Sequence, residues 1–242
     1  MNVILLEPHD YLSEENGFND SRVRLSDERA QHIREILGAE KDKTLKVGNL
    51  SGLLGSADVL RIDEDCVELR VTCDREPPPK LPLTIILALP RPKMLRRILR
   101  TVAELGVREL ILINSAKVEK SYWQTPALNP ETVRDYFIDG LQQSGDTVLP
   151  SIHFEKLFKP FVEDRLPALL KNSHGIVAHP GTNDACPIAF NQDCVLAIGP
   201  EGGFTPYEVE KLSAAGMHAV HLGTRILRVE NALTTLIARL YS

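Results

Sequence analysis

The chain has few cysteines and few aromatic residues. Its 242 residues include four cysteines, and only 5% of the side chains are aromatic. The cysteines form no CxxC pair; they are Cys66, Cys73, Cys186 and Cys194. Such sparse, scattered cysteines are typical of free thiols in a reducing cytoplasm. They argue against a disulfide framework. No metal site is expected either, since His218 and His221 fall on opposite faces of a predicted strand.

The sequence also lacks a long hydrophobic run. No apolar stretch approaches the roughly 20 residues that a membrane-spanning helix requires. The first ten residues, MNVILLEPHD, contain no basic region and no small-residue cleavage site, so we expect no signal peptide. A hydrophobic content of 43% and a charged content of 25% are those of an ordinary globular protein. We therefore predict a cytoplasmic protein without membrane attachment.

The net charge of −5 is unevenly distributed. Residues 1–75 carry ten basic and sixteen acidic side chains, whereas residues 80–120 carry nine basic and three acidic ones. The densest basic run is RPKMLRRILR, at 91–100. A helix there would present Lys93, Arg96, Arg97 and Arg100 on its outer face. This face is either solvated or in contact with phosphates, and the lack of acidic partners before Glu104 favours phosphate contact.

A proline-rich segment, DREPPPKLP at 74–82, divides the chain. The pattern before it predicts a small β-barrel domain over 1–73, with one helix that begins after the N-cap Ser26 and ends before Gly38. The pattern after it alternates between strands and helices. This predicts an α/β domain with a parallel sheet over 83–242.

The predicted elements have the following bounds. Strands of the first domain are Val3–Leu6, Thr44–Val47, Ala57–Ile62 and Cys66–Thr72. Strands of the second domain are Leu83–Leu89, Glu109–Ile113, Gly175–His179, Cys194–Gly199 and Met217–Leu222. Its helices are Pro92–Leu105, Glu131–Gln143, Glu155–Lys171, Pro206–Ala215 and Glu230–Tyr241.

The first motif, IGPEGGFTP at 198–206, is a glycine-rich loop between a predicted strand and a predicted helix. Thr205 and Glu208 can form a capping box at the start of that helix. Glycines after a parallel strand let the backbone approach a ligand closely, or they serve only a tight turn; both readings stay open. The spacing fits neither a dinucleotide fingerprint nor a P-loop, which argues against a phosphate cradle.

The second motif, LGTRILRVENA at 222–232, also leads from a predicted strand through glycine to a helix. It brings together two arginines, two large aliphatic side chains and a glutamate. A simple loop would leave the arginines solvated and pack Ile226 and Leu227 into the core. That reading is favoured for Arg225.

Together the two motifs resemble the ribosomal RNA small subunit methyltransferase E family of the SPOUT superfamily. GPEGG is followed about twenty residues later by LGTRILRVENA. Further similar segments are AELGV at 103–107, QSG at 143–145, the His179-Pro180 pair and, more weakly, HIREIL at 32–37. The resemblance covers nearly the whole chain. It departs from the family pattern at Thr101, Asp146, Val229 and Asn231.

The resemblance implies a SPOUT-type α/β fold with a C-terminal trefoil knot, preceded by a PUA-like β-barrel that binds RNA. It implies that S-adenosyl-L-methionine is clasped by three loops. Because the backbone at Gly202 must then approach the ligand, we expect Gly202→Val to abolish its binding. The implied cofactor-binding residues are His179, Pro180, Ile198, Gly199, Pro200, Glu201, Gly202, Gly203, Leu222, Gly223, Ile226, Leu227 and Arg228. A homodimer with the cofactor site near its interface is also implied. The amphipathic last helix suits that role, and it suits ordinary core packing equally well.

Members of this family methylate N3 of a uridine in 16S rRNA, so the implied partner is 16S rRNA or the small ribosomal subunit. Arg228 is the first candidate for stabilising the developing uracil anion. Glu201 is a candidate base, or it supports the loop or contacts the cofactor amine. The candidate RNA-binding residues are Arg22, His32, Arg34, Lys93, Arg96, Arg97 and Arg100. The alternatives are methylation of another RNA, such as tRNA, and a non-catalytic RNA-binding or ribosome-assembly protein.

Overall fold

The computed structural model describes residues 2–12 and 15–241. The chain divides into two compact units. The first consists of Met1–Pro79 and Ile138–Leu149, and the second of Lys80–Phe137 and Pro150–Ser242. One boundary between the units, Pro79/Lys80, falls within the proline-rich segment. The domain bounds 1–73 and 83–242 stay a prediction. The return of 138–149 to the first unit has no counterpart in the sequence pattern.

The first unit is built on a β-sheet. Its strands among the described residues are β1 (Ile4–Leu6), β2 (Glu15–Leu25), β3 (Thr44–Asn49), β4 (Leu54–Ile62) and β5 (Val67–Arg75). They lie in the order β1-β3-β4-β5-β2, with β1 and β3 parallel and the other pairs antiparallel. Alternate residues of β4 and β5 are buried, as a sheet with one solvated face requires. The PUA-like assignment stays a prediction.

Helix α1 (Glu28–Glu35) covers this sheet with Ala30 and Ile33 in the core. The predicted N-cap Ser26 is wrong by one residue, because the Asp27 carboxylate accepts the Arg29 backbone N–H at 2.9 Å. The Arg29 guanidinium also binds the Asp27 carboxylate, and it donates to both oxygens of buried Asp10 at 2.7 Å. The start of α1 and the turn that follows β1 are therefore tied by one ion-pair cluster.

The second unit is built on a six-stranded sheet in which every pair is parallel. Its strands are β6 (Leu81–Ala88), β7 (Val107–Ile113), β8 (Ser151–Glu155), β9 (His174–Ala178), β10 (Cys194–Ile198) and β11 (Met217–Val220). They lie in the order β11-β9-β10-β6-β7-β8. All residues of β10 are buried, as expected for a strand covered on both faces. The predicted parallel α/β sheet is confirmed.

The helices that lie wholly in this unit are α2 (Pro92–Glu104), α4 (Phe158–Pro160), α5 (Leu166–Leu170), α6 (Pro206–Ala214) and α7 (Val229–Leu240). Helix α3 (Pro130–Ser144) begins in this unit, and its residues from Ile138 onwards belong to the first. The predicted helix Glu155–Lys171 is wrong at its start, because 151–155 form the edge strand β8. A π-helical segment, Phe161–Arg165, separates α4 from α5. Pro160 and Pro167 lack the N–H groups that a continuous α-helix would use there.

Helix α7 packs its apolar stripe within a single copy of the chain. Leu233, Leu236, Ile237 and Leu240 are all buried there. Their pattern is therefore explained by core packing, and it lends no support to the expected dimer. The homodimer and the trefoil knot stay predictions. Within the part of the chain that the structure describes, no helix is long and apolar enough to span a membrane.

Candidate functional site

Three loops meet at the carboxyl ends of β9, β10 and β11 and enclose a cavity of about 240 Å³. The strand register places Ala178, Ile198 and Val220 side by side, so the loops that follow them are neighbours. Ligands of open α/β sheets bind at this edge. We call this the glycine cavity; its lining residues are Ala178, His179, Pro180, Ile198, Gly199, Pro200, Glu201, Gly202, Gly203, Val220, His221, Leu222, Gly223, Arg225, Ile226, Leu227, Val229 and Ala232.

The lining contains all but one of the expected cofactor residues; the exception is Arg228. It also includes Arg225, which the sequence assigns to solvent. Ile226, expected either in the core or as a cavity wall, is 84% exposed at the rim, and Leu227 is 37% exposed. The loop of Ile226 and Leu227 therefore does not pack into the core.

Two glycines in the first loop are required by geometry. Gly203 has a φ of +67°, a region that favours glycine. A Cβ on Gly199 would lie 2.8 Å from the backbone nitrogen of Phe204. By contrast, a Cβ on Gly202 would meet the flexible side chain of Lys117 at 2.9 Å. Gly202→Val would therefore disturb Lys117 before any ligand, which weakens the reasoning behind that expected loss of binding.

A buried carboxylate anchors this loop from below. Glu208 is 3% exposed, and its Oε1 accepts the Ala116 backbone N–H at 2.7 Å. Its Oε2 accepts the Thr205 backbone N–H at 2.8 Å, which completes the predicted capping box of α6. In addition, the Lys117 ammonium donates to the Gly202 carbonyl at 2.6 Å. The loop is thus attached to the segment that follows β7 through both Ala116 and Lys117.

The second loop turns at Gly223, whose φ is +110°. The Gly223 backbone N–H donates to Nδ1 of His221 at 2.9 Å. His221 itself lines the glycine cavity. Its imidazole therefore acts as an acceptor that fixes the turn.

A second cavity, of about 670 Å³, adjoins the first. We call it the basic cavity; it is lined by Arg91, Lys93, Met94, Arg97, Pro200, Glu201, Ile226, Leu227, Arg228, Val229 and Glu230. The start of α2 forms one side, and the second loop with the start of α7 forms the other. Arg228 lies here rather than in the glycine cavity.

Glu201 lines both cavities and is attached to the start of α2. Its Oε1 accepts the Arg91 backbone N–H at 3.2 Å and lies 3.8 Å from the Arg91 guanidinium. Of the alternatives for Glu201, this contact favours loop support.

The basic helix face is only partly as expected. Lys93, Arg96 and Arg97 are exposed on α2. The Arg100 guanidinium instead stacks on the ring of Tyr136, 4.5 Å from its centroid. Arg100 therefore has a packing role within the second unit, in addition to any contact with RNA.

The remaining candidates for RNA binding belong to the first unit. Arg22 is exposed on β2. Arg34 donates to the Asp63 carbonyl at 3.4 Å. Nε2 of His32 is buried, with no hydrogen-bond partner among the described residues. Asp146, where the family has arginine, is also buried and accepts the backbone N–H groups of the two following residues. Its departure from the family is therefore explained by a turn.

Among the described residues, no cysteine lines either cavity. All four cysteines are free and buried, and burial raises the pKa of the Cys194 thiol to about 12. A thiol protonated in this way is a poor nucleophile. Within 2–12 and 15–241, no group of three or more histidine, cysteine, aspartate or glutamate side chains is arranged to hold a metal ion.

Sequence reasoning missed four residues that support the site: Arg91, Lys117, Glu208 as a loop anchor, and His221. Arg91, Lys117 and Glu208 act through contacts with residues that are distant in sequence, whereas His221 binds the amide two residues later. The position of His221 directly before the Leu222-Gly223 pair was the one usable signal, because a side-chain acceptor near a glycine turn can bind its amide.

The model of the RNA methyltransferase domain family matches residues 76–241, a range that includes the glycine loops at the end of the parallel sheet. The chain therefore contains an RNA methyltransferase domain. A ribosomal RNA small subunit methyltransferase E from Treponema pallidum is 31% identical over 237 residues, which cover 96% of this chain and 87% of that protein. The chain belongs to the ribosomal RNA small subunit methyltransferase E family.

Other relatives agree with this assignment. A family member from Borreliella burgdorferi is 24% identical, over 89% of this chain and 91% of that protein. The crystal structure of a ribosomal RNA small subunit methyltransferase E from Neisseria gonorrhoeae, bound to S-adenosyl methionine, matches with a TM-score of 0.73 and 22% identity. It covers 98% of this chain and 95% of that one. This match supports the fold.

Proposed function

We propose that the protein transfers the methyl group of S-adenosylmethionine to N3 of a uridine in 16S rRNA. One observation carries the proposal: a glycine-lined cavity opens beside a separate cationic cavity, and Arg228 lies in the second. A methyl donor and a polyanionic acceptor need such different surroundings. The family relatives named for small-subunit ribosomal RNA support the same substrate.

The residues of the glycine cavity fit S-adenosylmethionine. Gly203 and Gly223 both have positive φ, and a Cβ on either would enter open space. The backbone is therefore accessible there to a ligand. Ile198, Val220 and Leu222 supply apolar walls, as small-molecule sites generally require. These walls would hold the adenosine, and the backbone groups at the loop turns would read its polar edge.

When bound, the cofactor supplies an electrophilic methyl group: a bond forms from uracil N3 to the methyl carbon as the carbon–sulfur bond breaks, and the N3 proton leaves to solvent or a base. The protein's own contribution is to stabilise the negative charge that develops on the uracil carbonyls. Arg228 is exposed beside the glycine cavity, and within the described ranges no carboxylate pairs with it. It therefore retains a charge to offer to that anion.

The contact between Glu201 and the start of α2 suggests that Glu201 positions the loop. Glu201→Gln separates this role from that of a base, because the amide keeps an acceptor oxygen but loses the basic carboxylate. A positioning role predicts a small change in kcat. A base would lose about 10²-fold or more.

The function is tested by incubating the protein with labelled S-adenosylmethionine and small subunits that lack the modification. The modified nucleotide is then mapped by mass spectrometry. We expect 3-methyluridine in 16S rRNA. A methyl group on another base, on a ribose or only on tRNA would redirect the proposal. Cofactor binding without transfer to any RNA would favour an assembly factor.

The role of Arg228 is tested by Arg228→Ala. We expect kcat to fall about 10²- to 10³-fold, while the Kd of the cofactor stays within a factor of two or so. Arg228→Lys keeps the charge and should restore part of the rate. A loss confined to cofactor affinity would instead assign Arg228 to the cofactor clasp.

A homodimer in the cytoplasm, where ribosomes are assembled, completes the proposal.

A further inference from the structure

We infer that the basic cavity binds the single target nucleotide, unstacked from the rRNA, with its phosphate on α2 and its base between Met94 and Ile226. This inference rests on the proposed function and names the acceptor site that the function needs. It adds Arg91 and Met94 to the site and separates Arg97 from its neighbour Arg96 on the same helix.

The basic cavity and the glycine cavity share a wall. Five residues line both cavities: Pro200, Glu201, Ile226, Leu227 and Val229. A ligand in one cavity is therefore separated from a ligand in the other only by this rim. Transfer of a group between two bound molecules requires such proximity.

The lining of the basic cavity carries a net positive charge. The lining of the basic cavity contributes four cations, Arg91, Lys93, Arg97 and Arg228, against the two carboxylates Glu201 and Glu230. In the described part of the chain, only the Arg91 guanidinium lies near one of these carboxylates, at 3.8 Å from Glu201. Lys93, Arg97 and Arg228 keep their charge available. Arginine and lysine in a cavity of net positive charge are suited to a phosphate.

The basic cavity also contains an apolar surface. Ile226 is 84% exposed and lies on the rim, and Met94 is partly exposed on α2. Such side chains offer apolar contact to a base that has left its stack. Enzymes that modify a base remove it from the helix and hold it against aromatic or apolar side chains. The exposure of Ile226, which core packing does not explain, then has a reason.

The volume of the basic cavity is that of a small-ligand site. A volume of about 670 Å³ lies within the range of about 300–1,000 Å³ that is typical of small-ligand sites. It suits one nucleotide rather than a duplex. A double helix could lie only across the mouth of such a cavity, where its bases remain stacked. The geometry therefore favours a loop or an opened pair as substrate.

The test uses uridine 5′-monophosphate as the probe, titrated into the full chain and followed by NMR chemical shifts. We expect binding both without and with saturating S-adenosylmethionine. Arg97→Gln should weaken this binding about 10-fold, the equivalent of about 1.4 kcal/mol. Arg96→Gln is the matched control, because Arg96 is exposed one residue earlier but does not line the cavity. Lys93→Gln is a second variant inside the cavity.

Three results would overturn the inference. One is equal weakening by Arg96→Gln and Arg97→Gln. Another is displacement of the nucleotide by S-adenosylmethionine, which would place it in the glycine cavity. The last is an absence of binding to the wild type. The titration needs no turnover, so a failure of nucleotide binding is distinguishable from a failure of the methyl-transfer assay.

Discussion

Replacing Gly199 by alanine tests whether the first loop is held at its limit of close packing. The added Cβ would lie 2.8 Å from the Phe204 nitrogen and 3.2 Å from the Gly203 carbonyl carbon, both of them backbone atoms. The loop must therefore shift, and overpacking of this kind costs about 1–3 kcal/mol. If the shift is expressed at the cavity, the Kd of S-adenosylmethionine rises about 5- to 150-fold.

The matched control is Gly202→Ala in the same loop. Its Cβ would meet only the side chain of Lys117, which can move aside. Isothermal titration with S-adenosylmethionine should therefore show a large loss for Gly199→Ala and a small one for Gly202→Ala. Circular dichroism would establish that both variants are folded. Equal affinities for the two variants would refute the reasoning, since the backbone contact would then have no consequence for the ligand.

Two further predictions concern the support of the site and its binding of RNA. Glu208→Gln turns one buried acceptor oxygen into a donor that faces backbone N–H groups. We therefore expect the free energy of unfolding to fall by about 1.5–3 kcal/mol and the Tm by roughly 3–12 °C. The control Glu210→Gln, at an exposed position, should leave the Tm unchanged. Replacing Arg96 and Arg97 with glutamate should lower the log–log salt slope of RNA binding by about 0.7–0.9 for each phosphate that the protein no longer neutralises. An unchanged slope would assign this face to solvent.

Much of the second unit is predictable because its signals are local. Apolar runs give the strands, and the Thr205–Glu208 capping box marks the start of α6, as the structure shows. Two strands, β2 and β8, were not predicted from the sequence, each for a different reason. β2, with the sequence ENGFNDSRVRL, is rich in polar residues, and β8 is a short edge strand followed by a helical pattern. β2 is 11 residues long but its first half lacks apolar alternation, and β8 alternates but has only five residues.

Part of the candidate site could likewise be predicted from the sequence, and part could not. The glycine loops were identified by their motifs, and the basic face of α2 by its composition. The basic cavity could not be derived, because it joins the start of α2 to the loop of Ile226, more than 120 positions further along the chain. The stacking of Arg100 on Tyr136 was likewise hidden, since a charge run on a helix does not show which neighbour will cover it.

The turn at Gly223 offers the last test, because a single side chain holds it. The imidazole of His221 accepts the Gly223 backbone N–H at 2.9 Å and itself lines the glycine cavity. His221→Ala removes this acceptor and leaves a turn with a φ of +110° to find its own conformation. One hydrogen bond contributes about 0.5–1.5 kcal/mol, so we expect the Kd of S-adenosylmethionine to rise about 2- to 12-fold.

His221→Asn distinguishes this role from simple packing, because the asparagine Oδ1 can take the place of the imidazole Nδ1 as acceptor. We expect His221→Asn to bind S-adenosylmethionine close to the wild-type affinity and to keep the wild-type Tm. His221→Ala, which loses the hydrogen bond, should have a slightly lower Tm. If alanine and asparagine weaken binding equally, His221 contributes by contact with the ligand rather than by fixing the turn. Unchanged affinity in His221→Ala would mean that the turn forms without it, and that the conformation of Gly223 is set by the neighbouring strand ends alone.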